Sequence, residues 1–282
     1  MGRLTTLRLV QRCARLLAAI AWAVAGSALA ADEVPFVTTP DAVTSAMLEL
    51  AQVGPRDHVI DLGSGDGRIV ITAARRFGAS GLGVEIVPEL VAKSRQLARA
   101  AGVHERVEFR TQDLFETDLR RATVVTMYLL PEVNLQLRPR LLALAPGTRI
   151  VSHDWDMGDW KPDRTIKVDA PDKAIGLEKS SQVHLWVVPA QVHGLWCAAG
   201  ASLEIAQRFQ RFSATLNGSA GAAPELVFDG PIDGPTLRAE GTHAVTLRQE
   251  AEGLRMVDTR AIREVAGRLF RRSAGSRCAL QR

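Results

Sequence analysis

The sequence is poor in the residues that build metal and redox centres. Its 282 residues include three cysteines, Cys13, Cys197 and Cys278, with no CxxC pair and no His/Cys cluster at metal-ligand spacing. Such centres need several ligands that converge on one ion, so the sequence predicts no metal site. Only Cys197 and Cys278 lie beyond the N-terminal leader described below. Their spacing leaves a disulfide and two unpaired thiols equally open.

An excess of positive charge is missing from most of the chain. The formal net charge is +4, but Arg3, Arg8, Arg12 and Arg15 supply it, because residues 1–30 contain no acidic residue. The rest of the chain balances 31 lysines and arginines against 31 acidic residues. A nucleic-acid-binding protein usually carries a basic surface. The composition therefore predicts no nucleic-acid partner.

Residues 1–30 have the organisation of an export signal. A basic start is followed by an apolar run of about 15 residues and by the small-residue sequence ALA at 28–30. The run is shorter than the ~20 residues of a typical membrane-spanning helix. We expect a signal peptide that is cleaved after Ala30, or a signal anchor that contacts the membrane through residues 1–30 alone. Both predict an exported, periplasmic or membrane-anchored protein, and a mitochondrial transit peptide is the alternative.

From residue 39 onward, strand patterns alternate with amphipathic helix patterns. Thr39 is expected at the N-cap of the first helix, which buries Val43, Met47, Leu50 and Ala51. Seven strands are predicted: HVIDL, GLGVEI, RVEFRTQD, TVVTMYLL, RIVSHD, TIKVD and VHLWVVP. Alternation of this kind is typical of a parallel sheet with right-handed crossovers, and the last two strands lack an intervening helix and should pair antiparallel at the edge. The predicted fold class is α/β, with a doubly wound, mostly parallel seven-stranded sheet.

After about residue 190 the helical periodicity stops. Short alternating runs punctuated by Gly, Pro and Asn predict antiparallel hairpins. The runs are FSATL, ELVFDG, TLRAEG, HAVTLR and GLRMV. We therefore expect an α/β domain at 31–190 and a small β-rich domain at 191–282. Residues 260–282 hold seven arginines and one acid, which predicts a solvated basic tail.

The stretch DLGSGDG at 61–67 carries the most specific chemical signal. A dinucleotide-binding fingerprint would need a third glycine where Arg68 stands, and the G-K-[ST] of a P-loop is absent. The D-x-G-x-G-x-G form resembles motif I of the class I S-adenosylmethionine (SAM) methyltransferases, which have a Rossmann-like fold. That resemblance implies SAM as the cofactor. It also implies a cofactor loop, in which Asp61 meets the methionyl amine, made of Asp61, Gly63, Ser64, Gly65 and Gly67.

Two further acids fall where that resemblance requires them. Glu85 ends the second predicted strand, where the family places a carboxylate that accepts hydrogen bonds from the ribose hydroxyls. Asp113 ends the third, where the family places a side chain near the adenine amine. All three acids follow successive parallel strands, at the edge where open α/β sheets bind ligands. The same carboxylates taken singly would be helix caps or solvated loop residues.

Three longer stretches resemble one methyltransferase group. They are FVTTPDAVTSAMLELAQV, MYLLPEVNLQLRPRLLAL and IVSHDWDMGDWKPD. They look like the small lysine methyltransferases of the ATP synthase c subunit and the adenine nucleotide translocase, and like their bacterial relatives. The resemblance covers roughly residues 36–190. Residues 128–131 read YLLP, where enzymes that methylate nucleic acids and glutamine have N/D-P-P-Y. This difference disfavours those two acceptor classes.

The resemblance implies direct displacement, in which an acceptor amine attacks the sulfonium methyl group and positioning is the main requirement. Tyr128, the only tyrosine, is the candidate to orient the amine, and Asp154 is the candidate to orient it or accept its proton. Pro131, Trp155 and Trp160 are candidates to line the acceptor slot. Edge packing for Tyr128, turn capping for Asp154 and core packing for the tryptophans are the alternatives. His153 and His184 are expected to be structural.

The function predicted is methyl transfer to a lysine of a protein substrate, with a membrane-associated protein as one option. A small-molecule or lipid methyltransferase and a non-catalytic exported binding protein of the same fold are the alternatives. The last of these draws on the leader, since SAM is made in the cytoplasm and an exported enzyme would be separated from it.

Overall fold

We describe the protein from a computed structural model that covers residues 36–174, 176–218, 225–241, 243–259, 265–275 and 277–278. The predicted leader at 1–30 lies outside these residues. Among the residues described, no helix is both long and apolar enough to cross a membrane.

The first part of the chain forms the predicted alternation of strands and helices. Its helices are α1 (Asp41–Leu50), α2 (Arg68–Phe77), α3 (Pro88–Ala100) and α4 (Pro131–Leu142). Its strands are β1 (His58–Leu62), β2 (Ser80–Glu85), β3 (Val107–Thr111), β4 (Val124–Met127), β5 (Arg149–His153), β6 (Arg164–Asp169) and β7 (Ser180–Val187). The central strands β1, β2, β4 and β5 are buried nearly throughout, as expected for a sheet covered on both faces.

The seven strands form one sheet in the order β3-β2-β1-β4-β5-β7-β6. The first five strands in this order pair in parallel. β7 runs antiparallel to both β5 and β6, which confirms the predicted edge hairpin. The chain reverses its winding between β1 and β4, so the loops after these two strands diverge and leave a crevice at the carboxyl edge.

The first helix begins differently from the prediction. Pro40 occupies its N-cap position and no side chain caps the helix, so the assignment of Thr39 as the N-cap is wrong. The Thr39 hydroxyl instead lies 3.3 Å from His153 Nδ1. The four residues predicted for the buried face of this helix are buried as expected. The Thr39 side chain therefore contacts the carboxyl edge of the sheet, at the end of β5, and does not cap the helix.

The second part of the chain forms a closed antiparallel barrel. Its eight strands are β8 (Gly194–Ala198), β9 (Ala201–Arg208), β10 (Arg211–Gly218), β11 (Leu226–Asp233), β12 (Thr236–Ala239), β13 (Val245–Glu250), β14 (Gly253–Thr259) and β15 (Leu269–Arg272). Side chains from every strand fill one apolar core, which also takes in Ala190 and Val192 from the connection. Alternating burial along β11 shows why the hairpin pattern was readable in the sequence.

The last strand corrects the prediction of a solvated basic tail. β15 pairs with β14 and with β8 and so closes the barrel, and its Phe270 is fully buried. Its arginines follow that one inward residue, and Arg271 and Arg272 are both exposed. The charge of this region concealed a strand of four residues. Cys197 on β8 and Cys278 form a disulfide beside this seam, with the two Cα atoms 5.7 Å apart.

The barrel packs against the sheet part, and the described residues from Val37 onward belong to one compact unit. Trp160 stacks on Phe209, which follows β9, with ring centroids 6.2 Å apart. Gln210 Nε2 donates to the Lys161 carbonyl at 2.6 Å. The barrel is thus held against the segment that follows β5.

Candidate cofactor and acceptor site

The glycine loop after β1 is built by left-handed backbone and internal hydrogen bonds. Gly63, Gly65 and Gly67 have φ values of 73°, 53° and 79°, which glycine adopts at no steric cost. The amides of Gly63 and Ser64 both donate to the Val84 carbonyl, at 3.0 and 2.9 Å. The Gly67 amide donates back to the Ser64 carbonyl at 2.8 Å. A loop whose amides are used internally is a poor cradle for phosphate.

Glu85 at the end of β2 is fastened to this loop. Its Oε2 accepts from the Gly65 amide at 3.0 Å, and its Oε1 accepts from the amides of Ile86 and Val87. A carboxylate has about four lone-pair positions, so Glu85 keeps acceptor capacity for a ligand hydroxyl. The side chain is oriented before any ligand arrives.

Asp61 is a buried acid of the site that has no ion-pair partner among the described residues. It is 2% exposed, and its Oδ1 accepts from the Thr126 hydroxyl on β4 at 2.7 Å. Burial raises the pKa of Asp61 to about 7, and the negative charges of Glu85 and Asp66 add to this rise. The described residues provide no ion pair to this carboxylate. A positively charged ligand group at this carboxylate would therefore favour its ionised form.

The side chains of Asp113 and Ser64, two further candidate cofactor residues, are occupied within the protein or turned into it. Asp113 follows β3 and its Oδ1 accepts from the Phe115 amide at 2.7 Å, as the cap of a short 3-10 helix. The Ser64 side chain is buried, without a partner in the described part of the chain. A Cβ on Gly83 would lie 2.7 Å from the Ser64 Oγ, so this hydroxyl faces β2. Ser64 therefore shapes the loop through its backbone.

Gly67 provides a test of the loop geometry. A Cβ at Gly67 would lie 2.6 Å from the Phe109 ring and 2.9 Å from Ser94 Cβ, and φ is +79°. We expect Gly67→Ala to destabilise the protein by roughly 2–4 kcal/mol, from overpacking added to left-handed strain. Gly102→Ala is the matched control, because φ there is +70° but nothing lies within 4 Å. Urea unfolding should show about 1 kcal/mol for the control. Equal losses would show that the Phe109 contact is unimportant.

Tyr128 directly follows β4 and is half-buried. Its ring stacks on the His153 imidazole with centroids 3.8 Å apart. Burial raises the pKa of Tyr128, and the Asp154 carboxylate adds to this rise. The phenol is therefore protonated near neutral pH and can donate or accept a hydrogen bond.

His153, predicted from the sequence to be structural, is the support of this tyrosine. It is fully buried at the end of β5, where Nδ1 contacts the Thr39 hydroxyl and Nε2 lies 2.8 Å from the Ser181 hydroxyl. Burial lowers the pKa of His153 to about 4, and the Lys173 charge contributes to this lowering. The imidazole is therefore neutral and fixed from two sides. No local sequence signal connects Thr39, His153 and Ser181, which come from distant segments.

Asp154 lies next to His153 in left-handed backbone, with φ at 63°. Its Oδ1 accepts from the Gln182 amide at 3.0 Å, and its Oδ2 accepts from Lys173 Nζ at 2.7 Å. His153 Nε2 lies 3.5 Å from the same Oδ2. Lys173 therefore already occupies one oxygen of the carboxylate that is predicted to contact the acceptor amine.

The remaining predicted acceptor residues divide between surface and core. Trp155 is 44% exposed, and the Asn134 and Ser152 side chains donate to its carbonyl at 3.2 and 2.6 Å. Pro131 begins α4, three residues after Tyr128. Trp160 is fully buried between the sheet and the barrel, so its assignment to the acceptor slot is wrong. Its aromatic character is used for packing. The described residues contain no cluster of three or more metal ligands.

Comparison with known sequences matches residues 61–164 to the ANTKMT methyltransferase domain. A "protein-lysine N-methyltransferase" of Saccharolobus islandicus is 46% identical over 138 residues, which cover 48% of this chain and 86% of that protein. The lysine N-methyltransferase of the ATP synthase c subunit from Mus musculus is 38% identical over 39% of this chain and 44% of its own length. The chain thus spans about half of the mammalian relatives.

Among solved structures, an "RNA methyltransferase" of Salinibacter ruber in complex with S-adenosylhomocysteine is 54% identical to this chain. The match covers 55% of this chain and 96% of that one, with a TM-score of 0.50. The matched family model lies wholly within the sheet part of the chain.

Proposed function

Since this chain belongs to the family of SAM-dependent protein-lysine N-methyltransferases, we propose that its methyl acceptor is a lysine amine of a protein substrate, bound beside Tyr128. The observation that carries this proposal is the arrangement at the carboxyl edge of the sheet. There the Asp61 and Glu85 carboxylates lie at the ends of β1 and β2, and the Tyr128–His153 stack lies at the ends of β4 and β5.

The residues at the first half of this edge fit SAM. The loop amides of Gly63, Ser64 and Gly65 are engaged within the protein, which suits a cofactor without phosphate. The Asp61 carboxylate can hold the methionyl ammonium, and Glu85 can accept a ribose hydroxyl. A Cβ on Gly63 would meet Leu129 at 3.0 Å, so glycine allows the close approach of Leu129 to the loop there. When bound, SAM supplies a methyl group made electrophilic by its sulfonium.

The residues at the second half supply positioning. The protonated Tyr128 hydroxyl can accept from the acceptor amine or donate to a neighbouring carbonyl. The ring is held on a neutral imidazole that is itself fixed by Thr39 and Ser181, which limits its motion. A lysine ammonium must lose its proton before it has a lone pair for attack, and partial desolvation against this aromatic surface lowers its pKa. Fixed geometry is the main contribution that a protein can make to such a displacement.

RNA is the second candidate acceptor, because the 54% identical Salinibacter protein is called an RNA methyltransferase. The balance of 31 basic and 31 acidic residues outside the leader argues against it, since RNA contacts need an excess of positive charge. A small molecule or lipid is a third outcome. The membrane association of a protein substrate remains a prediction.

We further propose that the protein is exported, as residues 1–30 predict. The Cys197–Cys278 disulfide supports this location, because disulfides persist mainly in oxidising compartments. Export conflicts with the cytoplasmic supply of SAM, because an exported enzyme would be separated from the compartment in which its cofactor is made. The cysteine experiment in the Discussion tests this proposal.

Transfer of a radiolabelled methyl group to fractionated cell extract tests the acceptor class. We expect label in protease-sensitive, RNase-resistant material, on lysine after acid hydrolysis. Asp61→Ala is the control and should remove the label. Label that RNase removes would assign RNA, and label extracted by organic solvent would assign a lipid or small molecule. Either result would contradict the lysine proposal.

A further inference from the structure

One lysine of the chain is already bound in the acceptor region. The loop between β6 and β7 (residues 170–179) lies at the carboxyl edge of the sheet, because β7 runs antiparallel to β5 and pairs His153 with Val183. Lys173 in this loop places its Nζ 2.7 Å from Asp154 Oδ2 and 2.9 Å from the Ser180 carbonyl. Carboxylate and carbonyl oxygens are the usual hydrogen-bond acceptors of a lysine ammonium.

Among the described residues of the loop, the other side chain that contacts the flanking strands is that of Glu178, through exposed contacts with Lys167 at 3.9 Å and with the Ser180 hydroxyl at 3.5 Å. Of those after Ala170, Lys173 alone is not exposed, with 14% of its side chain accessible. Leu177 is fully exposed, and Lys179 Nζ donates within the loop, to the Lys173 carbonyl at 2.9 Å. Release of Lys173 would therefore remove the one part-buried side-chain contact among these residues and leave the exposed contacts of Glu178 in place.

Asp154 does not depend on Lys173 for its position. The Gln182 amide donates to its Oδ1, its own amide donates to the Gln182 carbonyl at 2.7 Å, and His184 Nε2 lies 3.3 Å from its carbonyl. These contacts hold the left-handed residue between β5 and β7. The carboxylate would stay in place if Lys173 left, and its Oδ2 would then need another cation.

We propose that Lys173 is an internal placeholder that occupies the ammonium position of the acceptor lysine, and that the acceptor displaces it. This inference rests on the proposed lysine acceptor. It makes Asp154 a subsite for an alkylammonium group. A tethered ammonium competes at high effective concentration, so its removal should improve acceptor binding.

Lys173→Met tests the proposal, because methionine keeps most of the length of the side chain and removes the charge. In the full chain, we expect the KM for poly-L-lysine to fall roughly tenfold with kcat within about twofold of wild type. Lys173→Arg keeps the charge and should restore the wild-type KM. Lys167→Met is the control, since it removes the exposed ion pair of Lys167 with Glu178 in the same loop and leaves Lys173 on Asp154, so its KM should stay at the wild-type value. A fall in kcat without a lower KM would assign Lys173 a purely structural role and overturn the proposal.

A binding measurement without turnover separates this inference from the proposed function. NMR titration with n-butylammonium chloride, against sodium chloride, should show tighter binding to Lys173→Met than to wild type at the Trp155 indole. The double variant Asp154→Asn/Lys173→Met should lose this binding. Equal affinities of wild type and Lys173→Met would overturn the placeholder even where calorimetry shows normal SAM binding. Absent SAM binding in wild type would instead contradict the proposed function.

Discussion

Asp61→Asn should weaken SAM binding at least 100-fold and at the same time make the free protein more stable. The loss follows because the Asp61 carboxylate is the proposed buried partner of the methionyl ammonium, and removing one member of a buried charge pair costs roughly 3–5 kcal/mol. Asparagine keeps an oxygen that can accept from the Thr126 hydroxyl, so the local packing is preserved. Calorimetric titration of wild type and variant with SAM measures the loss.

The gain in stability has a defined dependence on pH. Burial raises the pKa of Asp61 to about 7 from an ordinary value of 3.8, so between these values the folded protein holds a proton that the unfolded chain has lost. Stability therefore falls as pH rises from about 4 to about 7, and the full cost, on the order of 4 kcal/mol, is present above that. Asp61→Asn removes it. The variant should melt several degrees higher than wild type at pH 8, with a difference that shrinks toward pH 4.

The same ionisation should govern cofactor affinity. Binding requires the charged form of Asp61 and the protonated amine of SAM, so wild-type affinity for SAM should rise up to about pH 7 and fall again as the amine loses its proton at about pH 8. Asp229→Asn, an exposed carboxylate on the barrel, is the control and should change neither property. A variant that binds SAM normally, or melts at the same temperature as wild type at pH 8, would contradict the role of Asp61.

Reduction of the Cys197–Cys278 disulfide should destabilise the barrel by about 4 kcal/mol. The bond joins residues 81 positions apart, and a cross-link over a loop of that length strongly restricts the unfolded chain. It also lies beside a short seam, where β15 contributes two residue pairs to β14 and two to β8. Thermal unfolding with and without a reductant measures the effect.

The matched control is Cys197→Ser/Cys278→Ser, which should unfold at the lower temperature and be insensitive to reductant. Its SAM affinity should equal that of wild type, since the cofactor residues lie on the sheet. An unchanged melting temperature on reduction would show that β15 closes the barrel without the bond. Loss of SAM binding in the variant would show that the sheet depends on the barrel.

The same cysteines report the compartment of the protein in cells. Rapid acid quenching followed by alkylation should find them oxidised in an exported protein. Free thiols at both positions would contradict export and remove the conflict with cytoplasmic SAM.

The sheet, and the position of the candidate cofactor residues at its carboxyl edge, could be predicted from the sequence because their signals are local. Each strand and helix has its own periodicity, and Asp61, Glu85 and Asp113 follow strands whose carboxyl ends a parallel sheet must bring to one edge. The glycines of DLGSGDG mark left-handed backbone directly. Within this half, the structure added Thr126 as the hydrogen-bond donor to Asp61 and turned the Ser64 hydroxyl inward.

The acceptor half and the closure of the barrel were decided by tertiary contacts. Thr39 was predicted as a helix cap and Trp160 as a slot residue, and each has its role through residues distant in sequence. The arginine-rich segment 260–282 gave no sign of β15 in the sequence, because a single inward phenylalanine among arginines shows no alternation. The strand is defined by its pairing with β8 and β14 on either side. The contact of Lys173 with Asp154 is likewise a tertiary contact that no local sequence pattern indicates. Periodicity determines which face of an element is buried, whereas the partner that covers it depends on how the chain returns.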